Sequence, residues 1–179
     1  MTTTTNRDNS TIKIFITNLG KYNEGHLVGE WVNLPMTEEE KEAVLERIGI
    51  NEEYEEYFIT DYETDLNGFK IGEYDSIDEL NELADELESL DEYEREIIEA
   101  CISNGLTFDE AMEQKDDCTV YYNCNDMSDV AEQYADETGL LNSIPENLQS
   151  YFDFEAFGRD MGYEGTFIFT NNGNCVQIY

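Results

Sequence analysis

The sequence predicts an α+β protein built from small abutting modules. Two observations favour this class. Runs of β-branched and aromatic residues, typical of strands, occur near both ends of the chain, and apolar residues recur at helical spacing between them. Aromatic residues make up 12% of the 179 residues, whereas disordered acidic chains are poor in aromatics, so the composition indicates a folded protein.

The N-terminal segment, residues 11–73, is predicted to be an α/β domain with three strands and one helix. The strands are predicted over residues 11–17, 30–34 and 54–60. The helix follows the capping box that begins at Thr37, continues through Arg47 and stops at Gly49. Residues 1–10 are rich in threonine and are predicted to be a flexible extension.

The middle segment, residues 74–116, is predicted to be an acidic helical domain. One helix begins after Ser76, a second covers 92–103, and a third follows the capping box at Thr107. The buried face of the first helix is predicted to comprise Ile77, Leu80, Leu83, Ala84, Leu87 and Leu90. The other faces of this helix are acidic, and no basic residue occurs between Asp75 and Glu94.

The C-terminal segment, residues 117–179, is predicted to be an α+β domain. Its predicted elements are a strand over 118–122, a helix over 128–138, a short helix over 145–150, a helix from Asp153 to Gly162, and a terminal hairpin over 164–179. No repeat or low-complexity linker separates the three segments.

The formal net charge is −34, and it is concentrated in the middle of the chain. Residues 51–150 contain 31 acidic residues and three basic residues, a balance of −28. A uniformly acidic surface suggests adaptation to high salt, whereas a concentrated one suggests a binding face. Such a face is repelled by nucleic acid and by anionic membranes, so the predicted partner is a basic protein or a cation.

No motif for catalysis is present, and the chain is predicted not to be an enzyme. The single histidine, His26, lies in a predicted loop, and no nucleophile elbow, phosphate-binding loop or zinc-protease motif occurs. The four cysteines are too sparse for a disulfide scaffold, and no signal peptide or membrane span is predicted. We therefore expect a cytoplasmic protein with free thiols, no cofactor and no metal.

A calcium loop is the alternative site that the sequence offers. Glu63, Asp65 and Asn67 place oxygen ligands at alternating positions before Gly68, as calcium-binding loops do. The bidentate acid of such a loop falls at Tyr74, however, and the nearest carboxylate, Glu73, is one residue short. Because the first part of the loop pattern matches and its last ligand does not, calcium binding is kept only as a less favoured alternative function.

Several stretches resemble the ArdA-type antirestriction proteins of mobile genetic elements. The matching stretches are residues 16–25, residues 27–31, residues 51–57 with Asp61 and Tyr62, residues 137–139 followed by Pro145, Leu148, Tyr151, Asp153 and 158–160, and residues 165–168. The resemblance implies a homodimeric, elongated DNA mimic that occupies the DNA-binding groove of Type I restriction–modification enzymes. It also implies three small domains in a curved row, with dimerisation through residues 117–179.

The resemblance and the charge together define the candidate sites. The residues expected to mimic DNA phosphates are Asp75, Asp78, Glu79, Glu82, Asp85, Glu86, Glu88, Asp91, Glu92, Asp109, Glu110, Asp116, Asp117, Asp126, Asp129, Glu132, Asp136 and Glu137. The residues expected at the dimer interface are Tyr151, Phe152, Phe154 and Phe157, for which a role in the core is an equal alternative. A further alternative function is a chaperone or sequestering module for another basic DNA-binding protein.

Overall fold

The computed structural model describes residues 11–179 and confirms the α+β class. The predicted flexible extension, residues 1–10, lies outside the described residues. The chain divides into two compact units, with the boundary between Asp91 and Glu92. The three-domain layout, with boundaries after residues 73 and 116, stays a prediction.

The first unit is built on a three-stranded antiparallel sheet in the order β2-β1-β3. Its strands are β1 (Ile12–Asn18), β2 (Gly29–Leu34) and β3 (Tyr57–Thr64). Alternation along the central strand buries Ile12, Ile14 and Ile16 on one face of the sheet. These isoleucines form the centre of this unit's hydrophobic core.

Three helices complete the described part of the first unit, residues 11–91: α1 (Leu19–Asn23), α2 (Glu38–Arg47) and α3 (Ile77–Ser89). The capping box at Thr37 is confirmed, since the Thr37 side chain accepts from the Glu40 amide and the Glu40 carboxylate accepts from the Thr37 amide. The predicted helix after Ser76 is confirmed as α3, which packs against β2.

The third strand begins three residues later and ends four residues later than the predicted strand over 54–60. The Asn51 side chain accepts hydrogen bonds from the amides of Glu53 and Tyr54, and this turn holds the chain out of the sheet. The strand therefore begins at Tyr57 and continues to Thr64, which pairs with the first residue of β1.

The second unit contains a second antiparallel sheet, in the order β4-β6-β5, and five helices. Its helices are α4 (Glu92–Ser103), α5 (Phe108–Gln114), α6 (Met127–Thr138), α7 (Glu146–Gln149) and α8 (Phe154–Glu164). Its strands are β4 (Cys118–Tyr121), β5 (Thr166–Phe169) and β6 (Cys175–Ile178). The terminal hairpin is therefore confirmed, and its second strand is the central strand of the sheet.

Helices α6 and α8 pack closely in this unit. A Cβ atom at Gly158 would lie 2.1 Å from the Met127 carbonyl oxygen, so only glycine fits at this crossing. Helix α8 ends at Glu164, two residues beyond the predicted end at Gly162, because the Gly165 amide still donates to the Met161 carbonyl. Val130 of α6 forms a buried cluster with Tyr121, Cys124 and Cys175.

Candidate functional site

Helix α3 separates apolar and acidic residues onto different faces. Ile77, Leu80, Ala84 and Leu87 are buried at the helical period, as predicted, whereas Leu83 and Leu90 are only half-buried. The acids predicted in and beside this helix are all exposed: Asp75, Asp78, Glu79, Glu82, Asp85, Glu86, Glu88 and Asp91. The buried stripe fixes the helix on the first unit, so its acids face solvent on an ordered backbone.

Two of these acids hold the start of the helix. The Asp75 carboxylate accepts a hydrogen bond from the Gly72 amide at 2.7 Å and closes the turn before α3. The Asp78 carboxylate lies 2.6 Å from the Lys41 Nζ atom on α2. Both side chains therefore have partners within the chain, in addition to their exposure.

The acids of the second unit divide in the same way between structural contacts and solvent. Glu92, Asp109, Glu110, Asp116, Asp117, Asp126, Glu132, Asp136 and Glu137 are exposed, and Asp129 is half-buried. Thr107 caps α5, and its amide and hydroxyl hydrogen bonds to Glu110 lower the pKa of that carboxyl. The Asp126 side chain caps α6 by accepting from the amides of Ser128 and Asp129.

Asp129 is held by the turn that precedes α6. The Asn125 amide donates to its carboxylate at 2.7 Å, and the Asn125 side chain adds a second contact at 3.3 Å. These hydrogen bonds lower the pKa of Asp129. We assign Asp129 a mainly structural role, unlike the fully exposed acids further along the same helix.

A cavity of about 530 Å³ lies beside α5 in the second unit. Its lining residues are Asn104, Gly105, Leu106, Glu110, Glu113, Gln114 and Asp117. Two residues of the predicted acidic set, Glu110 and Asp117, therefore share one concave surface. Glu113 extends this acidic surface and was absent from the prediction.

Glu96 is a buried carboxylate that the sequence prediction missed. It lies on α4, is 7% exposed, and accepts hydrogen bonds from the Thr170 hydroxyl at 2.5 Å and from the Asn174 side chain at 3.0 and 3.1 Å. These bonds attach α4 to the turn between β5 and β6. Glu96 therefore has a structural role, whereas most other acidic side chains are exposed.

Most basic side chains of the described residues are paired with acids. Lys13, Lys41, Arg47, Arg95, Lys115 and Arg159 each have a nitrogen within 4.0 Å of a carboxylate oxygen. Arg47 and Glu30 form two parallel hydrogen bonds of 2.9 and 2.8 Å, which raise the pKa of the arginine and lower that of the glutamate. These ion pairs offset the positive charges within the chain.

The residues predicted at the dimer interface lie in the first turn of α8 and in the segment immediately before it. Tyr151 is 82% exposed, and the rings of Phe152, Phe154 and Phe157 are half-buried. The Phe152 ring lies 4.9 Å from the Phe154 ring and 5.5 Å from the Phe157 ring, centroid to centroid, with edge-to-face geometry. The three phenylalanines thus pack on one another while part of their surface remains exposed.

The thiols are poor nucleophiles in this fold. Burial raises the pKa of Cys101 and of Cys175 to about 12, and it also raises the pKa of Cys118 and Cys124. All four cysteines are free, and the Cys101 and Cys118 sulfur atoms are 3.9 Å apart. Protonated, buried thiols fit a packing role.

The alternative calcium loop does not bring a set of acidic ligands together. Leu66 is buried between Asp65 and Asn67, and β3 occupies the preceding residues through Thr64. Within residues 11–179, no group of three or more His, Cys, Asp or Glu side chains could hold a metal ion. The same described residues contain no helix with the length and apolar character needed to cross a bilayer.

Two residues in the family-like stretches have clear structural roles. Asn18 is buried, caps α1 by accepting from the Lys21 amide, and donates to the carbonyls of Ile48 and Gly49 at 3.2 Å. Gly158 permits the close crossing of α6 and α8. These positions maintain the fold, and the acidic surface lies elsewhere.

Comparison with known proteins adds one family match. A family model described as antirestriction protein (ArdA) matches residues 14–176. No curated protein matches the chain. The matched range includes the acidic helices of both units and all of both sheets except the first two residues of β1 and the last two of β6.

Proposed function

Because the chain belongs to the ArdA family of antirestriction proteins, we propose that it inhibits Type I restriction–modification enzymes by occupying their DNA-binding groove. Antirestriction is the function that this membership implies. The proposal adds the mechanism, in which the protein takes the place of DNA. No bond is made or broken, so the protein acts as an inhibitor and not as an enzyme.

The observation that carries this proposal is the exposed acidic face of α3. Its carboxylates lie on a helix whose opposite face is buried, so they are presented together on one surface. A DNA-binding groove holds the phosphate backbone with Lys and Arg side chains, and the same side chains attract carboxylates. Because backbone contacts carry little sequence information, one mimic can inhibit enzymes that recognise different DNA sequences.

The helical support favours binding energetically. Asp and Glu have short side chains, and those on α3 are attached to a backbone that is already ordered. Less conformational entropy is lost on binding than a flexible acidic tail would lose. The acids of α5 and α6 in the second unit are also attached to ordered helices, since both helices have capped N-termini.

We further propose that the protein is a homodimer whose interface includes Tyr151, Phe152, Phe154 and Phe157. The exposed ring of Tyr151 and the partly exposed phenylalanines supply apolar area at the start of α8. Residues 151–179 contain four acidic residues and one basic residue, a far smaller excess than in the middle of the chain. Two copies can therefore approach here with less electrostatic repulsion.

The test is displacement of DNA from a purified Type I methyltransferase core. A fluorescent duplex bound to the core is titrated with the protein at several salt concentrations. We expect displacement at low salt that weakens as salt rises, since the Debye length falls to about 8 Å at physiological ionic strength. Polyglutamate of matched total charge is the control for charge without fold.

Three outcomes contradict the proposal. Failure to displace the duplex at low salt would exclude the DNA-binding groove as the target. Equal displacement by polyglutamate would show that the folded surface has no specific role. If the protein instead bound unrelated basic DNA-binding proteins with equal affinity, a general sequestering function would replace the proposed one.

A further inference from the structure

Lys41 lies at the contact between two helices of the first unit. It projects from α2, and its side chain is 12% exposed. Its Nζ atom is 2.6 Å from the Asp78 carboxylate on α3 and 3.5 Å from the Glu38 carboxylate one turn earlier on α2. The hydrogen bond to Asp78 raises the pKa of Lys41, so this lysine is charged at neutral pH.

A second contact supports the same helix. The Met36 amide, in the loop before α2, donates to the Asn81 side chain on α3 at 2.9 Å. Asp78 and Asn81 are one turn apart, so both contacts hold the first turns of α3. The buried stripe of this helix then continues through Ala84 and Leu87.

We propose that Lys41 is a positioning residue for the acidic face of α3. Through Asp78 it fixes the start of this helix, so that Glu79, Glu82, Asp85 and Glu86 are presented in a constant arrangement. Asp78 is thereby assigned to this internal contact and not to the partner. This inference rests on the proposed function, because the arrangement matters only if α3 binds a basic surface.

The proposal and simple electrostatics predict opposite effects for one substitution. Lys41→Gln changes the net charge from −34 to −35, and charge alone would then strengthen binding to a basic groove. If Lys41 positions α3, the same substitution makes the acids on this helix more mobile. These acids must then be ordered when the partner binds, and the entropy that is lost weakens binding. The sign of the affinity change therefore distinguishes the two mechanisms.

Lys70 supplies the matched control. It is exposed and lies in the segment between β3 and α3. Lys70→Gln changes the net charge by the same amount as Lys41→Gln. Lys41→Arg keeps the charge and can keep the contact with Asp78.

The experiment measures the affinity of each variant for the Type I methyltransferase core by displacement of labelled duplex DNA. We expect Lys41→Gln to bind about three-fold more weakly than wild type, Lys41→Arg to bind within about two-fold of wild type, and Lys70→Gln to bind at least as tightly as wild type. Circular dichroism at the assay temperature verifies that each variant is folded. Binding by Lys41→Gln as tight as by Lys70→Gln would overturn the proposal.

A double-mutant cycle and a measurement on the free protein complete the test. Lys41→Gln combined with Asp78→Asn has the wild-type net charge, and we expect it to bind as weakly as Lys41→Gln alone. In the free protein, Lys41→Gln should speed amide hydrogen exchange in residues 80–84, whose amides form the first hydrogen bonds within α3, relative to Lys70→Gln. Amide exchange is measured on the free protein and does not depend on the partner. If exchange is faster in Lys41→Gln but the wild-type protein does not bind the methyltransferase core, the proposed function is refuted, whereas the role of the Lys41–Asp78 contact in ordering α3 is still supported. Unchanged exchange would refute the positioning role.

Discussion

At the scale of single residues, Glu96 differs from the other acids. It is buried, and its oxygens accept three hydrogen bonds from Thr170 and Asn174. A buried carboxylate is tolerated only when such partners replace the water that it loses. Glu96 therefore contributes to the stability of the second unit, and its charge is not available to a partner.

We expect Glu96→Ala to lower the free energy of unfolding by about 1–3 kcal/mol, because it leaves the Asn174 amide and the Thr170 hydroxyl without their acceptor. Urea denaturation measures this change. Glu92→Ala, at an exposed position on the same helix, is the control and should change stability by less than about 0.5 kcal/mol. Equal effects of the two substitutions would show that the Glu96 contacts contribute nothing.

Sequence reasoning could not identify Glu96, and the reason is chain distance. Its partners lie 74 and 78 residues further along the chain, and neither periodicity nor capping rules reach that far. Glu110 is the opposite case. Its cap partner, Thr107, is three residues away, so the capping box was visible in the sequence and is confirmed.

At the scale of elements, the helices with a recognisable cap were predicted closely, whereas the short helix α1, in a segment predicted to be a loop, was missed. Caps at Thr37, Ser76 and Thr107 mark helix starts through local hydrogen bonds, and the helix over 92–103 has the predicted bounds. The third strand was misplaced because the Asn51 side-chain turn overrides the strand propensity of Tyr54. Strand bounds depend on pairing with distant residues, which the local sequence does not specify.

The acidic face of α3 is distributed, and no single acid on it should be essential. Each exposed ion pair contributes at most about 1 kcal/mol, so Glu82→Gln, Asp85→Asn or Glu86→Gln alone should weaken binding by no more than about five-fold. The three together should weaken binding in steps. Displacement of duplex DNA from the methyltransferase core measures the series.

Helix α2 supplies the control for this series. Glu39, Glu42 and Glu46 are exposed on it and lie outside the predicted acidic set. Neutralising these three changes the net charge equally and should weaken binding less. If the α2 triple variant lost as much affinity as the α3 triple variant, only total charge would matter. Loss of all inhibition with a single α3 substitution would indicate a discrete site instead of a face.

At the scale of the whole molecule, the contrast is between the many exposed acids and the few basic residues. Six basic residues lie within 4.0 Å of carboxylates, and Lys21 lies over the Tyr54 ring at 5.6 Å. Within residues 11–179, most positive charges therefore take part in internal contacts, and most acids face solvent. The composition predicted the acidic surface, but only the structure assigns a partner to each of these basic side chains.

The proposed homodimer interface can be tested through the exposed ring of Tyr151. Tyr151→Ser should raise the monomer fraction in sedimentation velocity experiments at micromolar concentration, because an exposed aromatic ring at an interface contributes binding energy when it is buried. Tyr163 is equally exposed, at 82%, and Tyr163→Ser is the control. A wild-type protein that is monomeric at these concentrations would contradict the proposed interface.

The division between contacting and solvent-facing acids also has an evolutionary consequence. Some acids contribute only to the negative electrostatic potential around α3. At these positions an exchange of Asp for Glu, or a shift of the acid by one helical turn, should preserve function, so we expect their sequence to vary among relatives. Pairs such as Lys41 with Asp78 and Thr107 with Glu110 are more constrained, because a substitution at either position is tolerated only when the new side chain can remake the contact. Selection on such a protein is therefore expected to preserve the internal pairs and the total acidity, while the order of individual acids along the surface diverges.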